Sequence, residues 1–132
     1  MSLEALKQVR GYLISSNEVT NLVSTNNIKV GWVKTSDEFP CITINQVGGT
    51  DIGYLGYGTS NLGDKLREET CTFQIDVYSQ KDRLETEQIS DQVTLRMISG
   101  SCRKDNDIED YIDELGVYRK ILNYSFIKHH DD

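Results

Sequence analysis

The chain has 132 residues, 37% hydrophobic and 27% charged. That mixture excludes a disordered chain and fits one domain, 1–132, able to bury roughly two-thirds of its extended surface. Fourteen Lys and Arg against 21 Asp and Glu give a net charge of -7, a field that repels polyphosphate and disfavours generic DNA or RNA binding.

Residues 2–15 carry Leu3, Leu6, Val9 and Leu13 at three- and four-residue steps, with Ala5, Tyr12 and Ile14 widening the stripe; the spacing predicts an amphipathic helix capped by Ser2. Asn17 reads as the cap of a short turn bearing Val19, Leu22 and Val23. Residues 28–34, rich in β-branched and aromatic side chains, predict a strand. A second strand is expected over 40–47, opening at the only proline, Pro40. In 70–79 the pattern has period two. Cys71, Phe73, Ile75 and Val77 face one way; Thr70, Thr72, Gln74, Asp76 and Tyr78 face the other. This predicts an antiparallel strand whose polar side meets water or a partner.

Between those two strands lies 48–66, with six glycines and an apolar centre at Ile52, Tyr54, Leu55 and Tyr57. Connections this long in a compact domain are uncommon and usually functional, so a flexible interaction loop is expected. A helix follows over 81–99. Ser79 is its expected cap, Leu84, Ile89, Val93, Leu95, Met97 and Ile98 its expected buried stripe, and Gly100 its stop. Residues 105–115 then read as an acidic helical turn bearing Ile108, Ile112 and Leu115, and 117–128 alternates as a final strand, so 100–132 is a C-terminal acidic helix plus strand. The expected class is α+β: a mostly antiparallel four-stranded sheet, two main helices on one face, and a long glycine-rich loop.

Chemistry finds little support. The string Gly58 to Leu66 comes within one residue of a P-loop, but Asp64 stands where the lysine must reach the phosphates, and no Ser or Thr follows to hold magnesium. Residues 105–116 match a calcium loop at its first ligand positions and then fail, with Asp110 at the glycine position and Gly116 at the bidentate glutamate. His129 and His130 are neighbours at the chain end, where a strand would point them to opposite faces. Cys41, Cys71 and Cys102 show no CxxC spacing, and their odd number leaves a free thiol, which fits a reducing compartment. No apolar stretch approaches a membrane span and no basic targeting region opens the chain, so a soluble protein without a membrane partner is expected. Asp76 stands as a lone acid. No catalytic residue, cofactor or metal site is assigned, and the chain is expected not to be an enzyme.

The order of short strings is informative. Asn21-Leu22-Val23 precedes Phe39-Pro40-Cys41-Ile42-Thr43-Ile44-Asn45; then come Thr72-Phe73-Gln74-Ile75-Asp76-Val77-Tyr78-Ser79 and a helix containing Gln88-Ile89. This order resembles the small tail-completion proteins of tailed viruses, the tail terminators also called head–tail joining or minor tail proteins. The resemblance implies a structural virion protein of the tail or neck, assembled in the host cytoplasm. Copies would form a ring, commonly of six, that terminates the tail tube, meets the tube protein and docks on the head connector, while DNA passes through without specific binding. A ring needs two different contact patches per subunit. Ile52, Tyr54, Leu55 and Tyr57 are the expected contacts, and Asp76, Asp105, Asp107 and Glu109 the expected channel-facing acids. The competing readings are a small ligand-binding or regulatory module with the loop as lid, and a metal-dependent nuclease using Asp76 with the acidic run.

Overall fold

A computed structural model describes residues 3–34, 38–51 and 68–129. Helix α1, Leu3–Ile14, is followed by the short α2, Asn17–Thr20, a single 3₁₀ turn at Thr25–Asn27 and strand β1, Ile28–Val30. Strands β2, Cys41–Asp51, and β3, Glu68–Ser79, lead into helix α3, Arg83–Ser99. The chain ends in β4, Arg103–Ile112, and β5, Val117–His129.

The five strands form one mixed sheet in the order β1-β2-β3-β5-β4. β1 runs parallel to β2, and every other pairing is antiparallel. The α+β class and the helix-covered face stand as expected; the strand number does not, because 103–112 is a strand and not a helical turn. Its spacing of Ile108, Ile112 and Leu115 suits a helix, but a helix would stack Asp105 on Glu109 and Glu109 on Asp113, like charges one turn apart. As a strand, Glu109 lies opposite Lys120 and Asp110 opposite Arg119. The return is made at Gly116, whose φ of 66° falls in the left-handed region and whose N–H donates to the Ile112 carbonyl at 2.8 Å.

The first expected strand is shorter than its composition suggested, ending at Val30 before Gly31 with φ 121°. The Gly31 N–H donates to the Ile44 carbonyl at 3.0 Å, so the peptide groups of Ile28, three residues earlier, point away from β2. Arg10 takes up that outward edge: its Nε donates to the Ile28 carbonyl at 2.6 Å and its Nη2 to the Thr25 carbonyl at 3.1 Å.

The core lies between the sheet and the helices. Leu6, Val9 and Leu13 of α1, Val19 of α2, and Ile89, Val93 and Met97 of α3 pack on Ile42, Ile44, Phe73, Ile75, Val77, Leu122 and Tyr124. Phe73 stacks on Tyr124 with ring centroids 5.8 Å apart, and the Tyr124 hydroxyl pairs with Thr94 Oγ1 at 2.8 Å. Two caps differ by a residue or more from expectation. Ser16 caps α2, accepting from the Val19 N–H, and Asp82 caps α3, accepting from the Glu85 N–H at 2.8 Å. Ser79 Oγ instead accepts from the Lys81 N–H and holds the turn before the helix. Gly100 ends α3 as expected, its N–H donating to the Met97 carbonyl at 3.0 Å.

Candidate interaction surfaces

The four apolar residues expected to make subunit contacts, Ile52, Tyr54, Leu55 and Tyr57, lie outside the described residues. The expected acids are described, and they fall into two different environments.

Alternation places Asp76 on the sheet face away from the helices, beside Gln74 and Tyr78, as read from the sequence. That face is not open at its centre. Asp76 is 0% exposed and Tyr78 1%, which corrects the expectation that Asp76 meets water, a partner or a channel. The reason is a second, smaller apolar layer: Tyr78, Cys41 and Val117 pack with Val33, Phe39, Ile112 and Leu115. Gln74 Nε2 donates to both Asp76 oxygens at 2.8 and 3.0 Å, and the Tyr78 hydroxyl donates to Oδ2 at 3.2 Å. Burial pushes the Asp76 carboxyl above its ordinary range, opposed by the Gln74 bond and the Arg119 charge. Burial, reinforced by the Asp76 charge, lifts the Tyr78 phenol to about 12. A carboxyl so enclosed is a structural group of the sheet, without the solvent access that general acid or base catalysis requires.

Asp105, Asp107 and Glu109 are exposed on β4, an edge strand. Each has a cation from this chain: Arg103 on Asp105 at 2.9 Å, Lys104 on Asp107 at 2.6 Å, and Arg83 on Glu109 at 2.6 Å with Lys120 at 3.6 Å. Arg119 holds Asp110 through Nε at 2.8 Å and a second bond from Nη2. The Lys104 bond keeps the Asp107 carboxyl below its usual range. Such surface pairs contribute about 0–1 kcal/mol each. Their larger effect is to make the β4 edge a near-neutral mosaic. An open cleft of about 300 Å³ lies beside it, lined by Arg83, Thr86, Glu109, Tyr111 and Tyr118. No group of three His, Cys, Asp or Glu able to hold a metal occurs among the described residues, and no helix among them is long and apolar enough to cross a membrane.

One surface was misread from the sequence. Ile89, Val93 and Met97 of α3 are buried, but Leu84, Leu95 and Ile98 are exposed, at 59%, 63% and 54%. The buried positions are completed by Thr86 and Ser90, whose hydroxyls donate to the Arg83 and Glu87 carbonyls at 2.6 and 3.0 Å. Small polar residues satisfied within the helix let α3 approach the sheet, and the three larger apolar residues are left outside. Trp32 is exposed too, at 67%; nothing in the alternation of 28–34 singled it out.

Among curated proteins, none matches the chain in sequence. Among solved structures, a chain from the virion of a native gene transfer agent particle superposes with a TM-score of 0.72. That alignment covers 94% of this chain and 92% of the other, at 10% sequence identity, so the likeness is one of fold. The sequence profile described as tail completion protein gp17 matches residues 7–110, a span that runs from α1 through most of β4. The chain belongs to the tail completion protein gp17 family and is a structural protein of the phage virion tail.

Proposed function

We propose that copies of this chain close into a ring at the end of the tail tube and form the joint between tube and head connector. The observation that carries this reading is the family match over residues 7–110, with the virion-derived chain of the same fold in support. The chain acts by binding its neighbours, without turnover or cofactor. Asp105, Asp107 and Glu109 would line the passage. Paired with Arg103, Lys104, Arg83 and Lys120, they make a wall that neither captures phosphates nor strongly repels them, which suits a conduit for DNA. Asp76, buried inside the subunit, takes no part in that wall. The apolar centre at Ile52, Tyr54, Leu55 and Tyr57 would add contact area to a neighbour or to the tube.

The test is the mass of the purified protein by light scattering, alone at rising concentration and after mixing with tail tubes, with negative-stain images of the tube ends. A closed ring, free or on the tube end, is the expected result. A chain that stays monomeric throughout and leaves the tube ends bare overturns the proposal.

A further inference from the structure

Resting on that ring, we infer that neighbouring copies join strand to strand, the end of β5 in one copy pairing in parallel with the end of β2 in the next. The three central strands outrun their neighbours at one end of the sheet. β2 pairs with β3 from Cys41 to Asp51, but with β1 only at Ile42, Thr43 and Ile44. β5 pairs with β3 as far as His129, whereas its pairing with β4 stops at Ser125. Past those points no described strand lies on the outer side of β2 or of β5. An open ladder is a template for another chain, and β1 and β4 do not reach this part of it.

Which peptide groups face outward follows from one bond. The Gly31 N–H donates to the Ile44 carbonyl, so the groups of Ile44 face β1, while those of Thr43 and Asn45 face β3 opposite Asp76 and Gln74. Alternation along β3, whose register with β5 is unbroken, turns Thr70 and Thr72 toward β2 and Cys71 toward β5. Past the bulge of β2, Gly48 and Thr50 therefore face β3, and Gly49 and Asp51 face away. On the other side Phe126, opposite Cys71, faces β3, and Ile127 faces away. Thr50, Thr70 and Ile127 form one row across the sheet.

The sense of the strands selects a second copy related by a ring. β2 and β5 are each antiparallel to β3 and so run parallel to each other. Rotating copies about an axis along the strands keeps that sense, so β5 of one copy meets β2 of the next in parallel, and each copy gives one edge and receives the other. A two-fold axis would set β2 on β2, or β5 on β5, and leave the second edge bare. In a parallel ladder a residue bonds to the two that flank its opposite number. With the row continued in step, Ile127 lies opposite Thr50 of the next copy. Its N–H then donates to that copy's Gly49 carbonyl, and its carbonyl accepts from that copy's Asp51 N–H. The outward groups are in phase for this ladder without a slip. Gly49 adds no side chain where the second backbone approaches, and closure of the ring removes both edges.

The test is a full-length double variant, Thr50→Cys with Ile127→Cys, oxidised under conditions where the wild type forms its ring and run on a denaturing gel without reductant. Within one chain β3 separates the two positions by about 9–10 Å, two strand spacings, which is too far for a disulfide. The expected result is a ladder of covalent multiples rising to the ring mass, reversed by reductant and absent from wild type and from either single variant. Ring-sized particles that give no ladder overturn the inference and leave the ring standing. Dimers from Thr50→Cys or Ile127→Cys alone show a two-fold pairing and also overturn it. Should the double variant fail to fold or to assemble, Asp51→Pro is compared with Asp51→Ala. Proline there removes an N–H that faces away from β3, so the two monomers are expected to melt within about 2 °C of each other. The proline ring is expected to dissociate at a concentration about tenfold higher than the alanine ring. Equal dissociation of the two overturns the inference. A wild type that never assembles, free or on tube ends, removes the ring reading and this contact together.

Discussion

Phe73→Ala measures whether the two faces of β3 are assigned correctly, and with them the side on which the helices lie. Phe73 is 0% exposed, sits in the core between sheet and helices, and stacks on Tyr124. Removing a fully buried phenylalanine forfeits about 2–3 kcal/mol of transfer free energy. The cavity adds about 24 cal/mol per Å³ left unfilled, or about 2 kcal/mol if most of the ring volume stays empty. The sum of about 4–5 kcal/mol falls within the range seen for buried aromatic truncations. For a chain of this length each kcal/mol shifts the melting temperature by about 3–4 °C, so a drop of about 12–20 °C is expected. Thermal unfolding by circular dichroism reads the shift, and urea unfolding should move its midpoint with an unchanged slope. A melting temperature within about 3 °C of wild type would refute the assignment, because it would place Phe73 on a face that already meets water.

Asp76 titrates above its ordinary value of 3.8 because it is buried. The folded state therefore holds this proton more tightly than the unfolded chain, and the contribution is complete below 3.8 and lost as pH rises through the folded value. Asp76→Asn is expected to lose less stability than wild type between pH 4 and 8, as read from urea midpoints; a wild type that gains on the variant as pH rises would be the contrary result. Gly11→Ala should stabilise by about 0.5–1 kcal/mol, since Gly11 is an exposed helical position with nothing within 4 Å of an added Cβ. A fall in melting temperature would mean α1 is not helical there. Gly116→Ala should cost about 1 kcal/mol through strain alone, because φ is 66° and the nearest atom to an added Cβ, Tyr111 Oη, is 3.8 Å away; Gly116→Asn, which tolerates that conformation better, should cost less in the same melt.

Elements whose burial is one-sided were readable from the chain alone. The stripe of α1, the alternation of β3 and the Gly100 stop are local patterns enforced by one apolar layer, and the structure keeps them. β4 was not readable, because its partner decides it: six charged residues in ten positions become a strand only when Arg119 and Lys120 arrive opposite Asp110 and Glu109. The burial of Asp76 was hidden for a related reason. Its face follows from period two, but the layer of Val33, Phe39, Ile112 and Leu115 that closes over the neighbouring Tyr78 comes from distant segments. α3 misled in the opposite direction. Its apolar residues stand on two opposite sides of the helix, three on each, and the sequence pattern put both sets inward. Thr86 and Ser90 lie inside instead, satisfied by carbonyls of their own helix, which propensity does not anticipate.

The Arg10 guanidinium on β1 bears on how crowded copies behave. A sheet open along both borders can polymerise without limit, since each added chain renews the template. Here β1, which covers β2 at Ile42, Thr43 and Ile44, is three residues long and carries its own cation on the outward carbonyl. The other is interrupted by a bulge between Lys104 and Asn106, and two such borders aligned antiparallel about Ile108 would set Asp107 against Glu109. Along β1 and β4 themselves, backbone ladders are thereby disfavoured as a route of self-association, and side chains weigh more in deciding which copy touches which there. Folded molecules held at high concentration before use would thus meet a poor template for a fibril at β1 and at β4.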